Sequence, residues 1–138
     1  MFLSREKIKS GAVDLMKPSK KGLARIIDAA GYSMRGLLFA WRNESAFRQE
    51  LIGAVVLIPL TFFLAESALE VSILLIPIFL VVVVELLNSA VEAITDRVGS
   101  ELHELSGAAK DLGSAAVLIS LFLLFAVWGV FLIEKVLP

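Results

Sequence analysis

A carboxylate stands at residue 85, directly after the apolar run Leu80-Val-Val-Val-Val84. At about 100° per residue, Glu85, Asn88, Ser89, Glu92 and Asp96 share one face of a helix, while Leu86, Leu87 and Ile94 point elsewhere. A charged side chain in a membrane segment costs at least about 2.5–3.5 kcal/mol on insertion scales. A stripe of them therefore implies a compensating metal, partner helix, ligand or shared proton. Carboxylates are hard oxygen ligands for Mg²⁺, which commonly takes one or two of them plus substrate phosphates, and Glu44 and Glu92 are candidates to share an ion. A partly desolvated carboxylate such as Glu85 suits a general base working near neutral pH. The same stripe equally suits a proton or cation pathway.

Around this stripe the sequence offers further polar groups. Lys110-Asp111 supplies an ammonium for a phosphate and a carboxylate for a ribose or an ion. The usual phosphate-cradling strings, Gly-x-x-x-x-Gly-Lys-Ser/Thr and Gly-x-Gly-x-x-Gly, do not occur, nor does His-Glu-x-x-His, so a nucleotide site here is of an unusual kind. His103 is the only histidine, and in a polar connector its ordinary reading is a solvated side chain, with metal or nucleotide binding as the alternative. Tyr32, Trp41 and Trp128 read most simply as residues of the membrane-interface belt.

The elements that carry these residues follow from hydropathy. Of 138 residues 58% are hydrophobic and the mean hydropathy is +0.86, more apolar surface than a soluble chain of this size can hide, so the class is an integral membrane protein. The pattern predicts an all-α fold: an N-terminal extension over about 1–18, then one membrane-embedded domain over about 19–138. That domain comprises an amphipathic surface helix over about 19–42 and spans over about 48–69, 71–96 and 108–134. Gly31 and Gly36 predict a bend or close packing point in the surface helix, and Pro77 predicts an interruption of the second span. Glu44 and Arg48 are spaced for an ordinary i,i+4 ion pair. Ala109, Gly113, Ala116 and Ser120 form a small-residue stripe that lets another helix come close.

Charge sets the orientation. Of the 13 Lys and Arg, only Lys135 lies outside the N-terminal region and the 95–111 connector, so both of those belong in the cytoplasm and the acidic 65–70 connector outside. The N-terminus is then cytoplasmic and the C-terminus external. Glu44, Glu50, Glu92, Asp96, His103 and Lys110 gather at the cytoplasmic boundary, with Glu85 about 10 Å deeper. The first residues lack the apolar core of a signal peptide, and the absence of cysteine excludes disulfide and thiol chemistry.

Three strings resemble the prokaryotic diacylglycerol kinase family: Asn43-Glu-Ser-Ala-Phe-Arg-Gln-Glu50, Val84-Glu-Leu-Leu-Asn-Ser-Ala-Val-Glu-Ala-Ile-Thr-Asp-Arg97, and the stretch from Gly99 through His103 and Lys110-Asp111 to Ile119. The likeness runs from about Gly22 to the C-terminus. It implies a homotrimer of three-span subunits in the inner membrane, with active sites between subunits, that moves the γ-phosphoryl of MgATP onto diacylglycerol. No nucleic-acid partner is expected. The resemblance makes Glu85 the general base and Glu44 and Glu92 the metal carboxylates that also hold ATP. It assigns Arg25, Tyr32, Glu101, His103, Lys110 and Asp111 to the nucleotide. Arg25, Ser33, Trp41, Phe47, Gln49, Glu50, Glu85 and Ser114 fall to the lipid substrate, and Asn88 and Asp96 to support. Met34 stands where the family pattern has Trp, and Ala108 where it has Arg. The alternatives are an undecaprenol kinase of the same fold, a small proton- or cation-coupled carrier, and a non-catalytic assembly subunit.

Overall fold

The computed structural model describes residues 22–98 and 103–137, all of it helix apart from short connections. Glu101 and the 1–18 extension lie outside the described residues. Four helices follow one another: α1 (Leu23–Asn43), α2 (Ser45–Leu64), α3 (Ala68–Val98) and α4 (Glu104–Val136). The chain divides into two compact units, residues 1–37 and 38–138, so α1 contributes to both.

In the first unit α1 is preceded by Gly22, whose φ of 68° is open to glycine without strain and whose carbonyl accepts from the Arg25 amide at 3.1 Å. The exposed Ile26, Ile27 and Met34 alternate around the helix with charged groups. The Arg35 guanidinium lies 4.7 Å over the Tyr32 ring, and Ser33 Oγ donates back to the Ala29 carbonyl at 3.1 Å. α1 is continuous through Gly31 and Gly36.

In the second unit α2, α3 and α4 are each long and apolar enough to cross a membrane. α3 packs against both of the others. Its 31 residues make a rod about 46 Å long, well beyond about 30 Å of hydrocarbon, so one end must emerge into polar surroundings. The buried residues of α3 recur at three- and four-residue steps: Leu74, Ile78, Val81, Glu85, Asn88 with Ser89. The stripe is apolar in its first half, where it forms the core with Ala54 of α2 and Leu124 and Trp128 of α4. In its second half the same stripe turns polar. The core is pinned by one interhelical hydrogen bond, Trp128 Nε1 donating to the Leu74 carbonyl at 3.3 Å.

Pro77 does not interrupt α3. It is fully buried, and a break there would strand backbone groups where no water can reach them, so packing from neighbouring helices holds the rod together instead. Pro59 also lies inside α2 without ending it, but on an exposed face. The expected small-residue stripe is realised in part. Ser120 is buried and Gly113 lies hard against α3, whereas Ala116 is exposed.

The end of the unit near residues 66–70 is closed by its own polar set. Ser67 Oγ accepts from the Glu70 amide at 3.2 Å and Glu70 Oε2 accepts from the Glu66 amide at 3.1 Å, a capping arrangement for the first turn of α3. Lys135, at the end of α4, pairs with Glu66 at 2.7 Å and Glu70 at 3.7 Å. An apolar cleft of about 430 Å³ opens at this end between Ile73, Val127 and Phe131. Ile73 lies about 18 Å along α3 from Glu85, and the cleft forms no part of the site described next.

Candidate active site

The polar half of the α3 stripe has few ways to satisfy itself. Glu85 is 3% exposed, Ser89 6% and Asn88 9%. Asn88 Nδ2 donates to Glu92 Oε1 at 3.0 Å, which fixes one oxygen of that carboxylate. Asn88 Oδ1, Ser89 Oγ and Glu50 Oε2 are buried and accept or donate to nothing within the described residues. A buried polar atom without a partner costs about 1–3 kcal/mol, so three together mark a place that a further polar group would complete. Glu92 and Glu44 both lie within electrostatic reach of Glu85, and Glu85 lies within reach of Glu50. The four carboxylates thus converge from α2, α3 and the α1–α2 junction.

Glu44 owes its place to a break in the helix. It is the single extended residue between α1 and α2, with φ −107° and ψ 114°, and its amide closes the last turn of α1 on the Ala40 carbonyl at 2.9 Å. It occupies the N-cap position of α2, yet its side chain makes no capping hydrogen bond. The carboxylate is therefore free to face a ligand. Arg48 does not pair with it as the spacing predicts. Its guanidinium turns back to the end of α1, donating to the Trp41 carbonyl at 3.0 Å and the Arg42 carbonyl at 3.5 Å. The helix end needs donors for its orphaned carbonyls, and an arginine supplies them. Phe47, 1% exposed, wedges beneath this corner.

On the α4 side, Lys110 Nζ meets Asp96 Oδ1 at 2.5 Å, and Lys110 also lies within reach of the Glu92 charge. The ammonium is thereby held on the carboxylate side of α4. His103 is exposed and serves as the N-cap of α4, where its Nδ1 accepts from the Leu105 amide at 3.2 Å. In the neutral ring that bond leaves the other nitrogen as the N–H. Asp111 and Ser114 are exposed on the following turn, Gln49 and Trp41 are exposed on their helices, and Glu50 is half-buried. Arg25, Tyr32 and Ser33 belong to the first unit.

Two features escaped the sequence reading. Gly113 stands directly opposite Asn88, and the α1 carbonyls claim Arg48. The first had a signal in the small-residue stripe. The second had none, because the stronger local pattern pointed to Glu44.

Among the described residues no group of three or more His, Asp and Glu is arranged to enclose a metal alone. Carboxylates such as those of Glu44 and Glu92 are the donor type that Mg²⁺ takes beside substrate phosphates. Residues 31–132 match the family Prokaryotic diacylglycerol kinase. The chain belongs to this family. Similar members include the diacylglycerol kinase of Haemophilus influenzae, 52% identical over 78% of this chain and 92% of that one. Those of Escherichia coli and Pseudomonas aeruginosa are 48% and 46% identical, over 85% and 86% of this chain and 96% and 99% of theirs. The diacylglycerol kinase match spans every described candidate residue except Arg25, which precedes it. The relatives' names favour a lipid kinase acting on diacylglycerol over the undecaprenol branch and over an ion-coupled carrier.

Proposed function

We propose that this protein phosphorylates diacylglycerol to phosphatidic acid with ATP at the cytoplasmic face of the inner membrane. The observation that carries the proposal is the buried Glu85 carboxylate at the point where the α3 core stripe turns polar, flanked by unpartnered polar atoms. If α3 enters the hydrocarbon near Ala68, Glu85 lies about 26 Å in and Glu92 about 36 Å, on either side of the inner hydrocarbon boundary. A lipid hydroxyl approaching from the membrane meets Glu85, and a nucleotide approaching from water meets Glu92, Glu44 and Lys110.

In this reading Glu85 accepts the proton of the lipid hydroxyl as the alkoxide oxygen forms its bond to the γ-phosphorus. The bond from that phosphorus to the bridging oxygen breaks, and ADP departs with the bond's electron pair. Glu44 and Glu92 would hold Mg²⁺, which neutralises phosphate charge when bound. Phosphoryl transfer depends on positioning and charge neutralisation more than on covalent chemistry, and the chain's other groups serve those ends. Asn88 orients Glu92. Lys110, steadied by Asp96, faces the phosphates. His103 presents its other ring N–H, and Asp111, Arg25, Tyr32 and Glu101 complete the nucleotide contacts. Ser33, Trp41, Gln49, Glu50 and Ser114 bound the lipid head region, with Phe47 packed behind them.

Residues 19–138 act as one kinase domain, assembled as a homotrimer whose sites lie between subunits. The buried unpartnered Glu50, Asn88 and Ser89 atoms support a second chain or a substrate closing the site. The distribution of Lys and Arg supports a cytoplasmic N-terminus and an external C-terminus.

The test is phosphatidic acid formation by the purified protein in diacylglycerol micelles, with Glu85→Gln beside it. Loss of general-base help lowers turnover about 10²–10⁴-fold while nucleotide affinity stays within about twofold. Equal loss of turnover and nucleotide binding would remove Glu85 from the base role, and no product from the folded wild-type protein would remove the function.

A further inference from the structure

The contact between Gly113 and Asn88 reaches into the candidate metal site. An added Cβ on Gly113 would fall on Asn88 Oδ1, with Cγ at 3.3 Å and the Asn88 Cα at 3.8 Å. The nearest obstacle is therefore the amide head itself, with the Asn88 backbone close behind. Asn88 is 9% exposed, so its side chain has no open space to retreat into. Its orientation is fixed by chemistry at the other end of the amide. Glu92 is an acceptor, so the Asn88 nitrogen must face it, and the oxygen is left against α4 at the one position where a side chain is missing. A Cα–H of Gly113 points at that oxygen in place of a Cβ. Gly107 and Gly129, on the same helix, have nothing within 4 Å of the corresponding position.

We infer that Gly113 is a positioning residue for the metal-holding carboxylate: by lacking a Cβ it lets Asn88 lie flat against α4 and donate to Glu92. The chain of contact is Gly113 to Asn88 Oδ1, then Asn88 Nδ2 to Glu92 Oε1. An alanine at 113 pushes the amide off this line, and Glu92 loses the hydrogen bond that holds it in one rotamer. Alanine favours helix over glycine, so α4 itself is not weakened by the change. The consequence is selective. Metal affinity falls because a ligand is no longer held in place, a loss of about 10–100-fold where such supporting contacts are removed. The inference rests on Glu92 as a metal carboxylate, and that premise is tested separately.

The experiment is Mn²⁺ binding to detergent-solubilised protein in the presence of a non-hydrolysable ATP analogue, followed by electron paramagnetic resonance, so that no turnover is needed. Glu92→Gln tests the premise: unchanged Mn²⁺ binding there would remove Glu92 as a ligand and the inference with it. With the premise standing, Gly113→Ala should weaken Mn²⁺ binding about tenfold, and Gly129→Ala should not. Asn88→Ala should weaken it similarly, and the double variant should be no weaker than Asn88→Ala alone, because both changes break the same contact. Wild-type binding by Gly113→Ala would overturn the inference, as would losses that multiply in the double variant or an equal loss in Gly129→Ala. If Gly113→Ala does not fold, the double variant, in which the obstructing amide is absent, should fold and bind as Asn88→Ala does. Misfolding of the double variant as well would show that Gly113 does not act through Asn88 and would overturn the inference.

Discussion

Glu44 and Glu92, each within electrostatic reach of Glu85, are held by opposite means. Glu92 is fixed by a hydrogen bond from its own helix, four residues back, whereas Glu44 is fixed by backbone alone, as the extended residue between two helices. Removing the charge from either should leave the fold intact, since neither side chain makes a capping hydrogen bond or fills the core, but would halve the carboxylates proposed for a divalent ion. Glu44→Gln and Glu92→Gln should each raise the Mg²⁺ concentration needed for half-maximal activity by about tenfold or more. A Mg²⁺ titration checks this, and an unshifted midpoint in either variant would remove that residue from the metal site. The expectation of a shared ion came from the sequence, because carboxylates at a membrane boundary need a reason; the structure adds that both lie within electrostatic reach of Glu85. Arg48 was misread for a related cause. Spacing along one helix says which side chains can meet, but the unfilled carbonyls of the preceding helix outbid the i,i+4 partner, and helix ends are visible only once the break at Glu44 is known.

Among the elements, α3 carries most of the account. Its buried stripe is continuous from Leu74 to Ser89, so the packing that fixes the apolar half also sets the rotation and depth of Glu85. Trp128 is the element-scale lever on that rotation. Trp128→Phe removes the hydrogen bond to Leu74 and part of the ring, and should destabilise the protein by about 1–2 kcal/mol in a detergent unfolding titration. Activity per folded molecule should remain near wild type; a large loss of activity in fully folded protein would mean that the latch, rather than the core as a whole, sets the position of Glu85. By contrast, the exposed Lys135–Glu66 pair holds little, and Lys135→Met should leave the unfolding midpoint nearly unchanged. The helices were legible from hydropathy and three-to-four periodicity, including the site-bearing stripe. The continuity of α3 through Pro77 was not, because proline's local cost is set against the loss of water as an alternative partner, and that balance depends on what packs around it. His103 illustrates the same limit: its value as an N-cap becomes apparent only when α4 is seen to begin at Glu104.

For the whole molecule, charge asymmetry and the depth of Glu85 make one claim about how the protein sits in its membrane. The chain has no cysteine, so single cysteines report position without background. In intact cells a membrane-impermeant maleimide should label Leu137→Cys and spare Arg97→Cys, and the reverse pattern would invert the topology. Native mass spectrometry should find three copies. The measurement that bears most directly on the whole account is transfer of label from ATP carrying a labelled γ-phosphoryl group, with Mg²⁺, to diacylglycerol and undecaprenol presented separately in mixed micelles. The account predicts label on diacylglycerol from the wild-type protein and its near disappearance in Glu85→Gln; label mainly on undecaprenol, or on neither lipid from folded protein, would contradict it.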